Sequence, residues 1–303
     1  MRMLPGCPIS TLIDEEIQAA IVGGDIIDPE LQQMMMDELR EYHGLNLPIP
    51  VQYFNWIGRM ARGDFGRSIP RGFDVATEVG SRMVVTVYLG IIALIVTLVF
   101  GIFFGTIAAV RNGKFIDNII TSVSNFGMTV APFLIAIFLV YVFGFILEIF
   151  PIWGFHLPWR GDTFQSIRRT VLPTLTAALP GIGALSRLTR SAMLDVLNAD
   201  YVRTAWAKGL REKAVVFGHV LKNGLMPIVS GTGGMIRGIF GGSIIIESIF
   251  LVPGVGQLLV TAVIQSDYNV IQSVTVLMTF ITVMSNLVTD LLYGWVDPRI
   301  QYS

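Results

Sequence analysis

Side chains that could support catalysis or metal binding are scattered along this sequence rather than grouped. The three histidines, His43, His156 and His219, lie far apart and show none of the spacings typical of a zinc site. Cys7 is the only cysteine, which excludes an internal disulfide and a multi-cysteine metal site. No lysine is followed by serine or threonine, so the GxxxxGK[ST] phosphate-binding signature is absent. The carboxylates show no pairing suited to acid–base catalysis, and we predict no enzymatic, nucleotide or metal site in this chain.

Residues 198–227 form the most charged segment in the second half of the chain, between two very apolar segments. Asp200 is predicted to cap a helix that begins at Tyr201, and Gly209 to end it in a left-handed conformation. A second amphipathic helix is predicted after it, with one apolar face formed by Val216, Phe217, Val220 and Leu221. Such a helix–turn–helix could dock into another protein, or lie as an amphipathic loop in the lipid headgroups.

The elements around this segment are predicted to be membrane spans. The 303 residues are 53% hydrophobic and only 14% charged, with a mean hydropathy of +0.65. Uncharged or nearly uncharged runs predict five spans: Met83–Val110, Ile119–Leu147 bent at Pro132, Val171–Ser186 with two internal prolines, Leu225–Ile249, and Val270–Thr289. Glu148–Thr170 and Phe250–Asn269 are predicted to be loops. Gly101 and Gly105 could allow close helix packing.

Residues 1–82 differ from the rest, since they carry 12 acidic against 7 basic residues and lack an apolar run long enough to span a bilayer. We interpret them as a cap outside the membrane, with an amphipathic piece from Val51 to Arg62. Segments 111–118, 187–223 and 297–303 hold ten Lys plus Arg, whereas loops 148–170 and 250–269 hold three. The positive-inside rule therefore places residues 198–227 in the cytoplasm and the cap on the opposite side.

Two ionisable residues fall inside the fourth predicted span, where an unpaired charge is costly and marks a candidate functional position. Arg237 is predicted either to face a cavity, where its planar guanidinium could bind a carboxylate, or to form an ion pair with another subunit. Glu247 lies ten residues further on, too far along the helix to pair with Arg237.

The order of several motifs resembles the B-type permease subunit of dipeptide, oligopeptide and nickel ABC importers. The family's YxRTAxAKGL motif is matched by the EAA-loop residues Tyr201, Arg203, Thr204, Ala205, Ala207, Lys208, Gly209 and Leu210. The similarity extends from Leu4 to the C-terminus, through Leu4–Pro8, Gly44–Tyr53, Gly63–Ser68, Ile246–Phe250 and the LLYxxxDPR-like ending Leu291–Arg299. Cys7 departs from the acidic or small polar residue that the family usually has there.

The resemblance implies an all-α polytopic membrane helical bundle, the transmembrane domain of a type I ABC importer, with an extracytoplasmic N-terminal cap. It divides the chain into a cap at 1–82 and a permease domain at 83–303, in which residues 198–227 form the coupling segment. Asp200 and the eight motif residues would contact an ATPase. Arg237, which could bind a peptide carboxylate, and Glu247 would be the candidate positions on the translocation pathway, with a contact at the subunit interface as the alternative for Glu247. The implied partners are a homologous permease, two cytoplasmic ATPases that bind ATP and Mg²⁺, an extracytoplasmic binding protein and the bacterial or archaeal plasma membrane, without nucleic acid.

Three alternatives stay open at the level of sequence. The cargo could be a dipeptide, an oligopeptide, a nickel chelate, glutathione or another small solute. A secondary transporter driven by an ion gradient is the rival class, although no internal repeat or mid-span acid favours it. A membrane subunit that transports nothing is the third. Because family members have a helix before the segment that corresponds to Leu4–Pro8, we also expect one span upstream of residue 1.

Overall fold

Helices make up nearly all the regular structure in the computed structural model, which describes residues 34, 47–68, 70–221, 224, 234–235, 238–239 and 242–296. The chain forms two compact units: Met1–Arg82 with Leu258–Leu277, and Met83–Gln257 with Met278–Ser303. Within the described residues the only β pairing is the isolated bridge between Arg67 and Asp74. The prediction of an all-α chain is therefore confirmed.

In the first unit, helix α1 (Ile49–Ala61) leads through a tight loop to the start of helix α2 (Val75–Val110), which belongs to the second unit from Met83 onward. The predicted amphipathic piece is thus a helix. Asp74 precedes α2 and accepts hydrogen bonds from the hydroxyl and the backbone N–H of Thr77. These two bonds lower the pKa of the Asp74 carboxyl below its ordinary value. Asp74 therefore caps α2, and the contacts with Thr77 stabilise the charged form of its carboxyl group.

The second unit holds most of the apolar helices. After α2 come α3 (Phe115–Thr129) and α4 (Pro132–Leu139), which continues as a π-helix over Val140–Ile146. The chain bends by 108° between α3 and the Pro132–Ile146 part. The predicted bend at Pro132 is confirmed, because proline lacks the N–H that a continuous helix requires. Helix α5 then runs over Thr163–Leu197, starting at a side-chain cap formed by Asp162.

Short helices follow α5, namely α6 (Asp200–Ala207) and α7 (Glu212–Val215), the latter continued as a π-helix over Val216–Val220. Residues 242–249 are helical, and α8 (Val255–Ile264) and α9 (Tyr268–Val296) complete the described chain. By length and composition, α2, α5 and Tyr268–Leu287 can each cross a membrane, and the bent pair α3–α4 can form a fourth span. Most of the predicted span Leu225–Ile249 lies outside the described residues.

Two predicted boundaries are wrong. The third span is a 35-residue helix rather than Val171–Ser186, and it passes through Pro173 and Pro180 without ending. A proline inside a membrane helix leaves a backbone carbonyl without its usual hydrogen bond, and neighbouring helices can satisfy that group. Proline therefore does not reliably mark the end of a helix in a membrane protein. The predicted loop Phe250–Asn269 contains α8, a ten-residue apolar helix too short to be recognised as a span.

Helices α2 and α5 approach each other closely, as the spacing of Gly101 and Gly105 predicted. A Cβ atom at Gly105 would lie 2.5 Å from the Cβ of Thr189 and 2.6 Å from the Ser186 carbonyl oxygen. At Gly101 it would lie 2.7 Å from the Cβ of Leu185. No side chain fits at these distances, so glycine is required for this helix crossing.

Candidate coupling site

The coupling segment is joined almost directly to the long helix α5. Only Asn198 and Ala199 separate the end of α5 from the start of α6. The Ala199 N–H donates to the Val196 carbonyl at 3.0 Å, and the Val202 N–H donates to the Ala199 carbonyl at 3.0 Å. These bonds tie the two-residue link to both helices, so α6 follows α5 after a single tight turn.

Helix α6 begins one residue earlier than the sequence predicted. Ala199, not Asp200, occupies the N-cap position, and no side chain caps the helix there. Asp200 stands in the first turn instead, where its negative charge favours the positive end of the helix dipole. Its carboxylate is 3.8 Å from Arg203, and both side chains are largely exposed. An exposed pair of this kind contributes little to stability, so both groups remain available to a partner.

Gly209 ends the helix as predicted, with a φ of +74°. Its N–H donates to the Trp206 carbonyl at 2.9 Å, which closes the last turn. A Cβ atom at this position would meet no atom within 4 Å. The requirement for glycine here is therefore conformational and not steric.

The helix–turn–helix rests on its own apolar cluster. Buried members are contributed by α6, α7 with its π-helical continuation, and the C-terminal ends of α2 and α5: Ala109, Met193, Val202, Ala205, Val215, Val216 and Val220. Val216 and Val220 were predicted to lie on the apolar face. The side chain of Phe217 lies outside the described residues. Through Ala109 and Met193, this cluster connects the coupling segment to two long helices.

The predicted coupling residues nearly all lie on the opposite, exposed side. Ala205 is the buried exception, at 6% exposure, whereas the other eight are exposed: Asp200, Tyr201, Arg203, Thr204, Ala207, Lys208, Gly209 and Leu210. Trp206 adds a further exposed aromatic ring. A surface that combines aromatic, basic and glycine-turn elements over an apolar base is suited to docking with another protein.

An ion pair beside this segment was missed by the sequence analysis. Arg190, near the end of α5, binds the carboxylate of Asp117 through two contacts, Nε to Oδ1 at 2.6 Å and Nη2 to Oδ2 at 2.8 Å. The same Nη2 donates to the Asn112 side-chain oxygen, and the Gly113 N–H donates to Asp117. The turn between α2 and α3 is thereby fixed to the helix that leads into the coupling segment.

Glu247 is fully buried within its own unit. Thr86 donates to one carboxylate oxygen at 2.8 Å, and the N–H groups of Gly256 and Gln257, at the start of α8, donate to the other at 2.7 and 3.2 Å. Thr86 also accepts from the Val255 N–H. These contacts assign Glu247 an anchoring role inside the chain, so its place on the translocation pathway stays a prediction.

The prediction for Arg237 falls outside the described residues, and its two alternatives remain open. The missed residues have a common feature, since Asp117, Arg190 and Thr86 each act through a partner that is more than seventy positions away in sequence. Opposite charges at the ends of two apolar runs were the only available signal for the Asp117–Arg190 pair.

Comparison with known proteins identifies the family. Residues 101–302 match the profile described as "Binding-protein-dependent transport system inner membrane component". The chain is 40% identical over its whole length to the oligopeptide transport system permease protein AppB of Bacillus subtilis, of which it covers 92%. It is 36% identical, again over its whole length, to the probable peptide ABC transporter permease protein y4tP of Sinorhizobium fredii, of which it also covers 92%. Together with the apolar helices and the motif order, these similarities show that the chain is a multi-pass membrane protein of the binding-protein-dependent transport system inner membrane component family.

Proposed function

We propose that this chain is the membrane-spanning permease subunit of an ATP-driven importer for di- or oligopeptides. The peptide assignment rests on the names of its relatives, which are oligopeptide and peptide permeases. The importer would also contain a homologous permease, two cytoplasmic ATPases and an extracytoplasmic binding protein. ATP and Mg²⁺ would bind to the ATPases. This subunit would contribute part of the path for the peptide across the membrane and the mechanical connection between that path and an ATPase.

The observation that carries the proposal is the arrangement of the coupling segment. Tyr201, Arg203 and Leu210 are exposed on one side, while Val202 and Ala205 fix the same helix to the cluster beneath. A partner that binds the exposed side would displace the coupling segment, which packs against α2 and is joined to α5 by two residues. Closure of an ATPase pair would thereby bias the spans between two arrangements, as any ligand does that binds one state more tightly.

The Asp117–Arg190 pair extends this connection. Because Arg190 also binds Asn112, a displacement of the inner end of α5 would carry the turn between α2 and α3 with it. The close contacts at Gly101 and Gly105 also connect α2 to α5, since closely packed helices transmit strain. We infer that the inner ends of α2, α3 and α5 move together when the ATPase closes.

Cross-linking in the assembled complex tests the proposal. Starting from a Cys7→Ser background, Leu210→Cys is introduced in the coupling segment and Trp159→Cys in the loop before α5 as the matched exposed control. A short cross-linker that carries a maleimide for the cysteine and a succinimidyl ester for a lysine should join the Leu210→Cys chain, but not the Trp159→Cys chain, to an ATPase subunit. The absence of an ATP-hydrolysing subunit from the purified complex would overturn the proposal, as would cross-linking at Trp159→Cys alone.

Transport assays in proteoliposomes test the cargo and the energy source. Uptake of a labelled dipeptide and a labelled oligopeptide should require ATP and the binding protein, and should continue when ion gradients are collapsed. Competition by a nickel chelate or by glutathione, without competition by peptides, would assign another cargo to the same machinery. Uptake that follows an ion gradient without ATP would identify the rival class, a secondary transporter.

A further inference from the structure

Helix α1 carries an apolar face that no described residue covers. At about 100° per residue, all of its large apolar side chains except Val51 occupy a continuous arc of about 160°. This face consists of Ile49, Tyr53, Phe54, Trp56, Ile57 and Met60. None of the 13 residues in the helix is buried, and Phe54 is 71% exposed. An exposed apolar face of this size has to be covered by something in the native environment.

The composition of α1 matches the boundary between lipid headgroups and acyl chains. Three neighbouring aromatic rings lie on the face, with Tyr53 in contact with both Phe54 and Trp56. Tyrosine and tryptophan favour this boundary because their rings are apolar and their polar atoms can reach water. The polar side carries Arg59 and is followed by Arg62, and the helix has no acidic residue. Arginine at the edge of such a face is complementary to lipid phosphates.

The loop after α1 keeps this helix close to the membrane. The Val75 N–H donates to the Gly66 carbonyl at 3.1 Å, and the Ser68 N–H donates to the Phe73 carbonyl at 2.9 Å. The loop is thus closed at Gly66, so only four residues after Arg62 separate α1 from the first residue of α2. At up to about 3.5 Å per residue, the five steps from Ala61 to Gly66 span at most about 18 Å. With about 5 Å between residues joined by a backbone hydrogen bond, the end of α1 lies within roughly 23 Å of Val75.

The position of Val75 relative to the bilayer follows from the length of α2. Its 36 residues extend over about 54 Å, which exceeds the roughly 30 Å of a hydrocarbon core. The uncharged run begins at Met83, and the turns before it carry the Glu78–Arg82 ion pair. Val75 therefore stands about 12 Å along the helix from the start of the uncharged run. A reach of up to roughly 23 Å exceeds this distance, so the loop is long enough for α1 to return to the lipid surface.

We propose that α1 lies in the plane of the outer leaflet, with the face formed by Ile49, Tyr53, Phe54, Trp56, Ile57 and Met60 inserted among the phospholipids. The helix then anchors the N-terminal region to the membrane surface. A substrate-binding protein is the competing occupant. A transiently bound protein would leave the face in water between delivery cycles, whereas the bilayer covers it continuously.

Site-directed spin labelling of the full chain, in its complex, tests this inference. In the Cys7→Ser background, labels are placed through Tyr53→Cys and Ile57→Cys, at the centre of the face, and through Asn55→Cys on the opposite side. The complex is reconstituted in vesicles of phosphatidylethanolamine with a minority of phosphatidylglycerol. Collision rates are then measured with oxygen, which concentrates in lipid, and with a water-soluble nickel chelate.

An interfacial helix predicts opposite behaviour at the two sets of positions. Labels at Tyr53→Cys and Ile57→Cys should collide several-fold more often with oxygen, and several-fold less often with the chelate, than the label at Asn55→Cys. Equal access of the chelate to all three labels would overturn the inference. Protection of Tyr53→Cys and Ile57→Cys from both reagents would indicate burial in protein and also overturn it. Protection that appears only after the binding protein is added would identify that protein as the occupant.

Discussion

At Gly209 the backbone conformation, and not the available space, restricts which residue can stand there. The φ of +74° is open to glycine and costs other L-residues about 1–2 kcal/mol, whereas a side chain would meet no neighbour within 4 Å. Asparagine tolerates this conformation much better than a β-branched residue does. This difference separates the effect of the turn from the effect of added bulk.

We therefore expect Gly209→Val to reduce peptide uptake per ATP hydrolysed several-fold, while the protein remains in the membrane at normal levels. Gly209→Asn is the matched control and should retain most of the coupling. The measurement is uptake and ATP hydrolysis on the same proteoliposomes. Equal coupling in both variants would show that the left-handed turn is not required.

The Asp117–Arg190 pair makes a second prediction for single residues. Asp117→Asn removes the buried negative charge and one of the two acceptor oxygens that face Arg190, and losing this charge-assisted hydrogen bond should cost about 1–3 kcal/mol. Asp195→Asn, at an exposed position on α5, the helix that carries Arg190, should have little effect. Thermal unfolding in detergent gives the comparison. A double-mutant cycle with Arg190→Gln should show strong non-additivity, and additive losses would exclude a direct energetic connection.

Among the elements, the crossing of α2 and α5 depends on how closely the two backbones approach. Gly105→Ala places a methyl group where Thr189 and the Ser186 carbonyl already stand, so the helices must separate. Overpacking of this kind costs about 1–3 kcal/mol. Gly80→Ala on the same helix meets no atom within 4 Å and should be neutral or slightly stabilising. Melting temperatures in detergent distinguish these outcomes, and equal values would contradict the close packing.

Helix α8 depends on Glu247 for its start. Glu247→Ala removes the acceptor for the Gly256 and Gln257 N–H groups, so hydrogen exchange should accelerate at residues 255–258. Glu247→Gln should have a smaller effect, because its amide oxygen still accepts one bond. If Glu247 only anchors α8, the relative uptake of different peptides should not change. A changed peptide preference would place the residue on the translocation pathway.

The elements also show which features could be predicted from the sequence. Gly209 and Pro132 were correctly interpreted because each acts on its own backbone, independently of distant residues. The true length of α5 could not be predicted, since helices packed around Pro173 and Pro180 permit continuation through two residues that normally end a helix. Helix α8 was missed because its first N–H groups are satisfied by Glu247, a partner outside the local window. The Asp117–Arg190 pair joins residues that are 73 positions apart.

For the whole molecule, the membrane orientation remains a prediction that rests on the distribution of basic residues. We expect a membrane-impermeant maleimide, added outside intact spheroplasts, to label Trp159→Cys but not Leu210→Cys in the Cys7→Ser background. Both side chains are exposed, at 62% and 41%, so accessibility within the protein does not explain a difference. Permeabilised spheroplasts should show labelling of both. Labelling of Leu210→Cys from outside would place the coupling segment on the wrong side for an ATPase.

Helix α5 runs unbroken for about 52 Å, from the loop that ends at Asp162 to the coupling segment. A rod of this length that pivots near its middle behaves as a lever with two arms of similar length. A tilt of about 10° would displace each end by about 4–5 Å, in opposite directions. A displacement of the end beside the coupling segment would therefore move the other end in the opposite direction. One such tilt would widen the helix bundle on one side of the membrane while it narrows the bundle on the other side.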